Sequence, residues 1–248
     1  MKYNYLLLTI GIFGFLNAKS QTDSSKTTLD EFEVTTNRVG EKSPIAHENI
    51  SKEEIEVNNH GVDLPILLDQ AISIVTTSDA GAGVGYTGIR VRGTDATRVN
   101  VTINGIPFND AESQGVYWVN MPDISSSTDD IQIQRGVGAS TTGASAFGAT
   151  VNLSTLSTVN SQNSYGEISN SYGSFNTLKN TIKLGTGLID GKWNFEGRLS
   201  KVASDGFIDR ASSNLNSYYL SGSYLGKKTS IQAVAFSGQE VTYQAWNG

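Results

Sequence analysis

The sequence has no cysteine and only two histidines, His47 and His60. Disulfides and thiolate metal sites are therefore excluded, and a histidine-rich metal or catalytic cluster cannot be assembled. Charge is low, at 17% of residues, while glycine is plentiful, with 26 in 248. That balance suits a β-rich chain with many turns, of one or two domains. Basic residues are scarce in the first part. Residues 21–155 hold 8 Lys+Arg against 18 Asp+Glu, a balance of −10, whereas residues 156–248 hold 8 against 6, or +2. An acidic N-terminal part argues against nucleic-acid binding, which needs a basic footprint. The change of composition near residue 155 marks a domain boundary.

Residues 1–20 read as a secretory signal. Lys2 is the basic start, Tyr5 to Leu16 the apolar run, and Ala18 and Ser20 the small residues before cleavage at Gln21. The alternatives are a retained anchor or a buried strand, but the run is too short for a usual transmembrane helix. Removing Lys2 and Lys19 would take the formal charge from −6 to −8. Residues 21–28 are polar and lack the apolar side chains to build a core. Farther on, Ser51 and Glu54 form a capping box. Asp63 is placed to cap a second short helix that carries Pro65 in its first turn. Ile66, Leu67 and Ala71 would then face a sheet, and Ile72–Val75 would be a strand.

Gly83, Gly85 and Gly88 match the spacing of a dinucleotide fingerprint. That fingerprint must open a helix, and here Ile89 and Val91 alternate with Arg90 and Arg92 as in a strand. Val99, Val101 and Ile103 alternate next, and Asn104-Gly105 is the strongest short hairpin signal, because both turn residues need φ > 0. Ile131 and Ile133 alternate before Arg135-Gly136 breaks the run. These segments predict a small mixed sheet with glycine-rich loops and no catalytic centre.

In this order, Arg92-Gly93, Val99 to Pro107, Ile131 to Gly136 and Gly148 to Asn152 resemble the plug domain of TonB-dependent outer-membrane receptors. The resemblance implies an α+β plug, a small mixed sheet with short helices, over residues 41–155. It implies further that Asp30, Glu31, Phe32, Glu33, Val34, Thr35 and Thr36 form a TonB box within a periplasmic segment, 21–40. Such a box is a strand donor that pairs with the partner protein TonB by β-augmentation. Glu33 departs from the usual apolar residue there, and the other reading of this run is the first plug strand. In the family, arginines at the positions of Arg92 and Arg135 pair with barrel glutamates downstream and lock the plug.

Two loops would face the ligand. The loop at 78–88 offers Tyr86. The loop at 108–122 concentrates Gln114, Tyr117, Trp118 and Asn120, a mixture of aromatics and amides that suits a polar small molecule. Tyr117 and Trp118 could equally pack against a barrel wall, and Asp110 and Glu112 read as solvated charges. Trp246 is a further ligand candidate.

From about residue 163 the pattern becomes dyadic. Leu178, Ile182 and Leu184 alternate with Lys179, Thr181 and Lys183; Trp193, Phe195 and Leu199 alternate with Asn194, Glu196 and Arg198; Tyr218 and Leu220 alternate with serines. Segments of roughly ten residues with aromatics near their ends are the signature of an antiparallel transmembrane β-barrel. A soluble β-sandwich alternates similarly. Ile231–Phe236 is a weaker fifth strand. Because bacterial barrels close with roughly eight or more strands, residues 156–248 are expected to be the first part of an incomplete barrel. The resemblance implies import of a scarce nutrient, a ferric siderophore first, with haem, cobalamin or an oligosaccharide next. A binding or adhesion protein without transport is the other class. No enzyme activity, cofactor or metal site is expected. The implied partners are TonB, an iron chelate and outer-membrane lipid, and the location is the outer membrane.

Overall fold

The computed structural model describes residues 38–40, 43–79, 81, 83–137, 146–155 and 163–243. The expected signal segment, residues 30–36 and Trp246 lie outside them. The first part contains β1 (His47–Ile50), α1 (Lys52–Asn58), α2 (Leu64–Leu67), β2 (Ile74–Ser78), β3 (Thr87–Val91), β4 (Val99–Ile103), β5 (Ile106–Pro107), β6 (Asp130–Arg135) and β7 (Ala149–Ser154). Strands β1-β6-β7-β4-β5 form one mixed sheet in that order, with β4 and β7 parallel; β2 and β3 make a separate ribbon. Gly88, the last of the three glycines, already lies within strand β3, so the triplet leads into a strand and does not open a helix.

Period-two alternation splits the larger sheet into two unlike faces. Val99, Val101, Ile103, Ile131, Ile133, Val151 and Leu153 join Ile55, Leu64, Leu67 and Leu68 in one core. The opposite face is also buried, yet it is polar: Asn100, Thr102, Gln132, Gln134, Thr150 and Asn152. Asn49, Gln132, Asn152 and Thr102 lie in one row across four strands, and Thr102 Oγ1 donates to Asn152 Oδ1 at 2.6 Å.

The local signals behave unevenly. The Asn104-Gly105 turn is left-handed at both residues, and β4 and β5 pair across it. The capping box at Ser51 and Glu54 forms. The strand expected at Ile72–Val75 begins later, at Ile74, because Ser73 turns with φ 66°. Asp63 starts α2 but makes no side-chain cap. Its Oδ2 accepts instead from Gly85 N at 3.0 Å and Thr87 Oγ1 at 2.9 Å. It therefore ties the glycine-rich loop to the helix.

The second part is a meander of β8 (Tyr165–Gly173), β9 (Thr177–Gly185), β10 (Trp193–Ser204), β11 (Ser213–Leu225) and β12 (Ser230–Thr242). All pairs are antiparallel and the sheet is open. The fifth strand is as long as the fourth. Across β9–β11 the two faces are the inverse of a soluble sheet. Lys179, Thr181, Lys183, Asn194, Glu196, Arg198, Ser200, Ser217, Ser221 and Ser223 are buried, whereas Ile168, Ile182, Leu184, Phe195, Leu199 and Leu220 are exposed. Aromatic pairs mark both ends of this sheet. Trp193 lies 4.7 Å from Tyr224 and 6.3 Å from Phe195 at one end, and Phe175 lies 6.2 Å from Phe207 at the other.

Candidate functional site

The buried polar face of β9–β11 is covered by the first part of the chain, and buried charges meet at the seam between them. At its centre is Asp123, which follows Pro122 and opens a 3-10 turn, Ile124–Ser127, from a left-handed conformation (φ 51°, ψ 35°). That geometry turns the carboxylate towards the strands. Arg198 Nη1 donates to Asp123 Oδ2 at 2.7 Å, and Lys179 Nζ donates to Oδ1 at 3.1 Å. Ser126 Oγ also donates to Oδ1, at 2.8 Å. Arg198 is 1% exposed. Its Nε donates to Ser127 Oγ at 2.7 Å, and its Nη1 donates to Ser200 Oγ at 2.8 Å. Burial alone would raise the Asp123 carboxyl, but the Lys179 ammonium and Arg198 guanidinium outweigh it and hold the group below the usual carboxylate range.

Further contacts cross the seam towards both of its ends. Towards the Trp193 end, Tyr219 Oη and Asn104 Nδ2 both donate to Thr155 Oγ1, at 2.8 and 2.9 Å. Asn104 Nδ2 also reaches Gln232 Oε1 at 3.4 Å. Towards the Phe207 end, Glu240 of β12 faces Asp63: a Cβ on Gly85 would stand 3.3 Å from Glu240 Oε1, and the Gly85 amide is bonded to Asp63. Burial pushes the Asp63 carboxyl up to about 6, with its two hydrogen bonds opposing and Asp123 adding to the rise. A polar cleft of about 130 Å³ lies beside the triad, lined by Lys52, Glu56, Ser125 and Thr128 on one side and Glu167 and Lys183 on the other.

The expected locking arginines are not part of this seam. Arg135 Nη1 pairs with Glu48 of β1 at 2.7 Å, within the first part of the chain and upstream in sequence. Arg92 is exposed, in a left-handed turn after β3. The seam is held instead with reversed polarity: an acid from the first part between two bases from the strands. Asp123, Lys179 and Arg198 were missed because no local pattern joins them. The available signal was a charge at interior positions of dyadic strands, where a lumen-facing Lys or Arg needs a partner.

The expected ligand residues separate. Tyr86, at 53% exposure, and Tyr117, Gln114 and Asn120 are open to solvent on two loops. Trp118 is 4% exposed and belongs to the core, with Val234 and Phe236 of β12 packed against that core; it is a packing residue. Asp110 is not merely solvated: its Oδ1 accepts from Glu112 N at 3.1 Å and from Ser113 N at 2.7 Å, and so shapes the loop. Near Tyr86, the loop between β10 and β11 brings Ile208 against Gly81. On that same loop Arg210 stacks over Tyr243, 4.7 Å from its ring centre.

Comparison with known proteins agrees with this architecture. The TonB-dependent Receptor Plug Domain family matches residues 40–150. No curated protein matches the chain. Among solved structures, the siderophore receptor PirA from Acinetobacter baumannii is 15% identical, with a TM-score of 0.60 over 79% of this chain and 32% of that one. The pyoverdine outer membrane receptor FpvA from Pseudomonas aeruginosa PAO1 is 14% identical, with a TM-score of 0.61 over 78% of this chain and 27% of its own. The copper transporter OprC is 12% identical, with a TM-score of 0.65 over 80% and 32%. The chain thus spans less than a third of the length of these proteins.

Proposed function

Since this chain belongs to the TonB-dependent receptors, with residues 40–150 as its plug domain, we propose that it is the plug and leading barrel strands of an outer-membrane importer of ferric siderophores. The observation that carries this reading is the inverted sheet. Strands β9–β11 bury charges and hydroxyls against the plug and present Ile, Leu and Phe outward. A soluble β-sandwich would bury the apolar face, whereas a strand in lipid does the reverse. The aromatic pairs at both ends sit where interfacial girdles belong.

In this reading the ligand binds over Tyr86 and the 108–120 loop, at the end of the seam that carries Arg210 and Tyr243. Binding shifts the plug towards a population that offers residues 30–36 to TonB. TonB pairs with that strand, and its pull displaces the plug from the Asp123–Arg198–Lys179 cluster. The steps are binding and mechanical, without covalent chemistry. The siderophore class is supported by PirA and FpvA. Copper is less well supported, since this chain offers no cysteine and only two methionines as soft ligands.

The test is uptake of labelled ferric siderophores by cells making the full-length receptor, beside a Val34→Pro version. Proline removes a backbone donor and spoils strand pairing. Uptake in the parent and its loss in the variant is the expected result. Equal uptake in both would show that residues 30–36 do not couple to TonB.

A further inference from the structure

Residues 38–40 belong to no strand, yet Val39 is held as though it did. Its N–H donates to Gln132 Oε1 at 2.7 Å, and its C=O accepts from Gln132 Nε2 at 3.0 Å. One side-chain amide on β6 thus stands in for the backbone of a neighbouring strand. The rest of that amide is also used. Gln134 Nε2 donates to Gln132 Oε1 at 2.9 Å, and Gln132 Nε2 donates to Asn49 Oδ1 at 2.8 Å. An amide has two donors and an oxygen with two lone pairs, so Gln132 is saturated. Two residues earlier on β6, Asp130 forms an ion pair with Arg38. The polar face of the sheet supplies every one of these contacts.

Such a contact is specific when closed and inexpensive to open. Each hydrogen bond surrendered is replaced by one to water, so its net worth is small. A strand paired backbone to backbone as β1 is with β6 must break several such bonds together.

We propose that Gln132 is the docking residue of a releasable strap, residues 38–40, that sets how far the TonB-binding segment reaches from the plug. Release would free residues 39–45 as slack, up to Ala46, whose C=O accepts from Arg135 N of β6 at 2.8 Å; that is about 24 Å at roughly 3.4 Å per residue. A pull on residues 30–36 is borne first by the Arg38–Asp130 pair and the Gln132 amide, and only then by β1. This deepens the proposed function and rests on it for the identity of the puller, but not for the docking itself.

The chain has no cysteine, and a Cβ at Gly40 would meet nothing within 4 Å. A spin label on Gly40→Cys in the full-length receptor therefore reports the strap alone. The expected spectrum is mainly immobilised. Gln132→Leu should move the docked-to-free ratio roughly tenfold or more towards free, the scale on which two net hydrogen bonds act. Gln132→Glu, which keeps an acceptor for Val39 N but loses the donor, should fall between. A label on exposed Val57→Cys of α1 should not change. An unmoved Gly40 label in both variants, with the Val57 label also unmoved, overturns the proposal. If Gln132→Leu disturbs Val57 as well, hydrogen exchange in the unaltered protein decides. Val39 N–H should exchange by local opening, well before Ile131 and Ile133; exchange only together with them would overturn the strap. Added TonB should raise the free fraction. Failure of TonB to bind a peptide of residues 29–38 would remove the transport reading and leave the docking result standing.

Discussion

Replacing Asp123 by asparagine isolates the charge at the centre of the seam. The residue is left-handed, with φ 51°, a conformation that asparagine tolerates better than most residues. Backbone strain is therefore almost unchanged. What changes is the balance of charge. In the native seam one carboxylate neutralises one of two buried cations and is bonded to both. In Asp123→Asn, Lys179 and Arg198 face each other without an acid between them, and the amide nitrogen cannot accept from either. Breaking a buried ion pair from one side costs about 3–5 kcal/mol. By contrast, Lys179→Met leaves the neutral Asp123–Arg198 pair intact and fills the same space, so it should cost no more than about 1 kcal/mol. Adding Lys179→Met to Asp123→Asn should therefore recover part of the loss, a coupling of opposite sign to the single change. The assay is urea unfolding of the full-length receptor in detergent, with hydrogen exchange over residues 121–135 reporting plug release. Equal costs for Asp123→Asn and Lys179→Met, or further loss in the double variant, would refute the account of the triad.

Two other outcomes follow from the same geometry. Asp63 is raised to about 6 by burial, so the folded chain holds its proton more tightly than the unfolded chain. Its contribution to stability is therefore greatest near pH 4 and is lost as pH rises through about 6, by up to about 3 kcal/mol for a shift of some two units. Asp63→Asn retains an acceptor for Gly85 and Thr87 and should flatten that slope in denaturation midpoints measured from pH 4 to 7; an unchanged slope would assign it to other groups. Leu199 is 63% exposed in the middle of β10. Leu199→Arg should cost about 2–4 kcal/mol in a lipid-inserted receptor, whereas a change within about 0.5 kcal/mol would mark an ordinary wet surface.

Much of the fold was legible because its signals are local. The capping box at Ser51, the Asn104-Gly105 hairpin and the alternation of Val99–Ile103, Ile131–Ile133 and the later strands are each set by neighbours in sequence. The inverted burial of β9–β11 was legible too, once alternation was read with lipid outside. The seam was not. Asp123 meets Lys179 and Arg198 across 56 and 75 residues, and nothing near any of them announces a partner. Arg135 resembles a locking arginine by its place before Gly136, yet the sheet register sets His47 opposite Gln134 and brings Glu48 of the same strand within reach of it. The mixture of aromatics and amides left Trp118 open to ligand contact or packing, and a turn of 3-10 helix, Trp118–Asn120, carries it into the core. The Gln132 contact with Val39 escaped for the opposite reason: alternation marks Gln132 as facing away from the apolar core and says nothing about what covers it.

The serines and threonines that line the seam have a thermal consequence. Separating two apolar surfaces raises the heat capacity in proportion to the area wetted, while exposing polar area lowers it. Between the plug and β9–β11 the strands contribute chiefly hydroxyls, amides and a few charges, with Val202, Leu215 and Tyr219 as the main apolar exceptions. Withdrawal of the plug from these strands should therefore carry little change in heat capacity, and its free energy should run nearly linearly with temperature, without the curvature that apolar burial imposes. A seam built this way would have no temperature of maximum strength from which it weakens on both cooling and heating, as an apolar seam does.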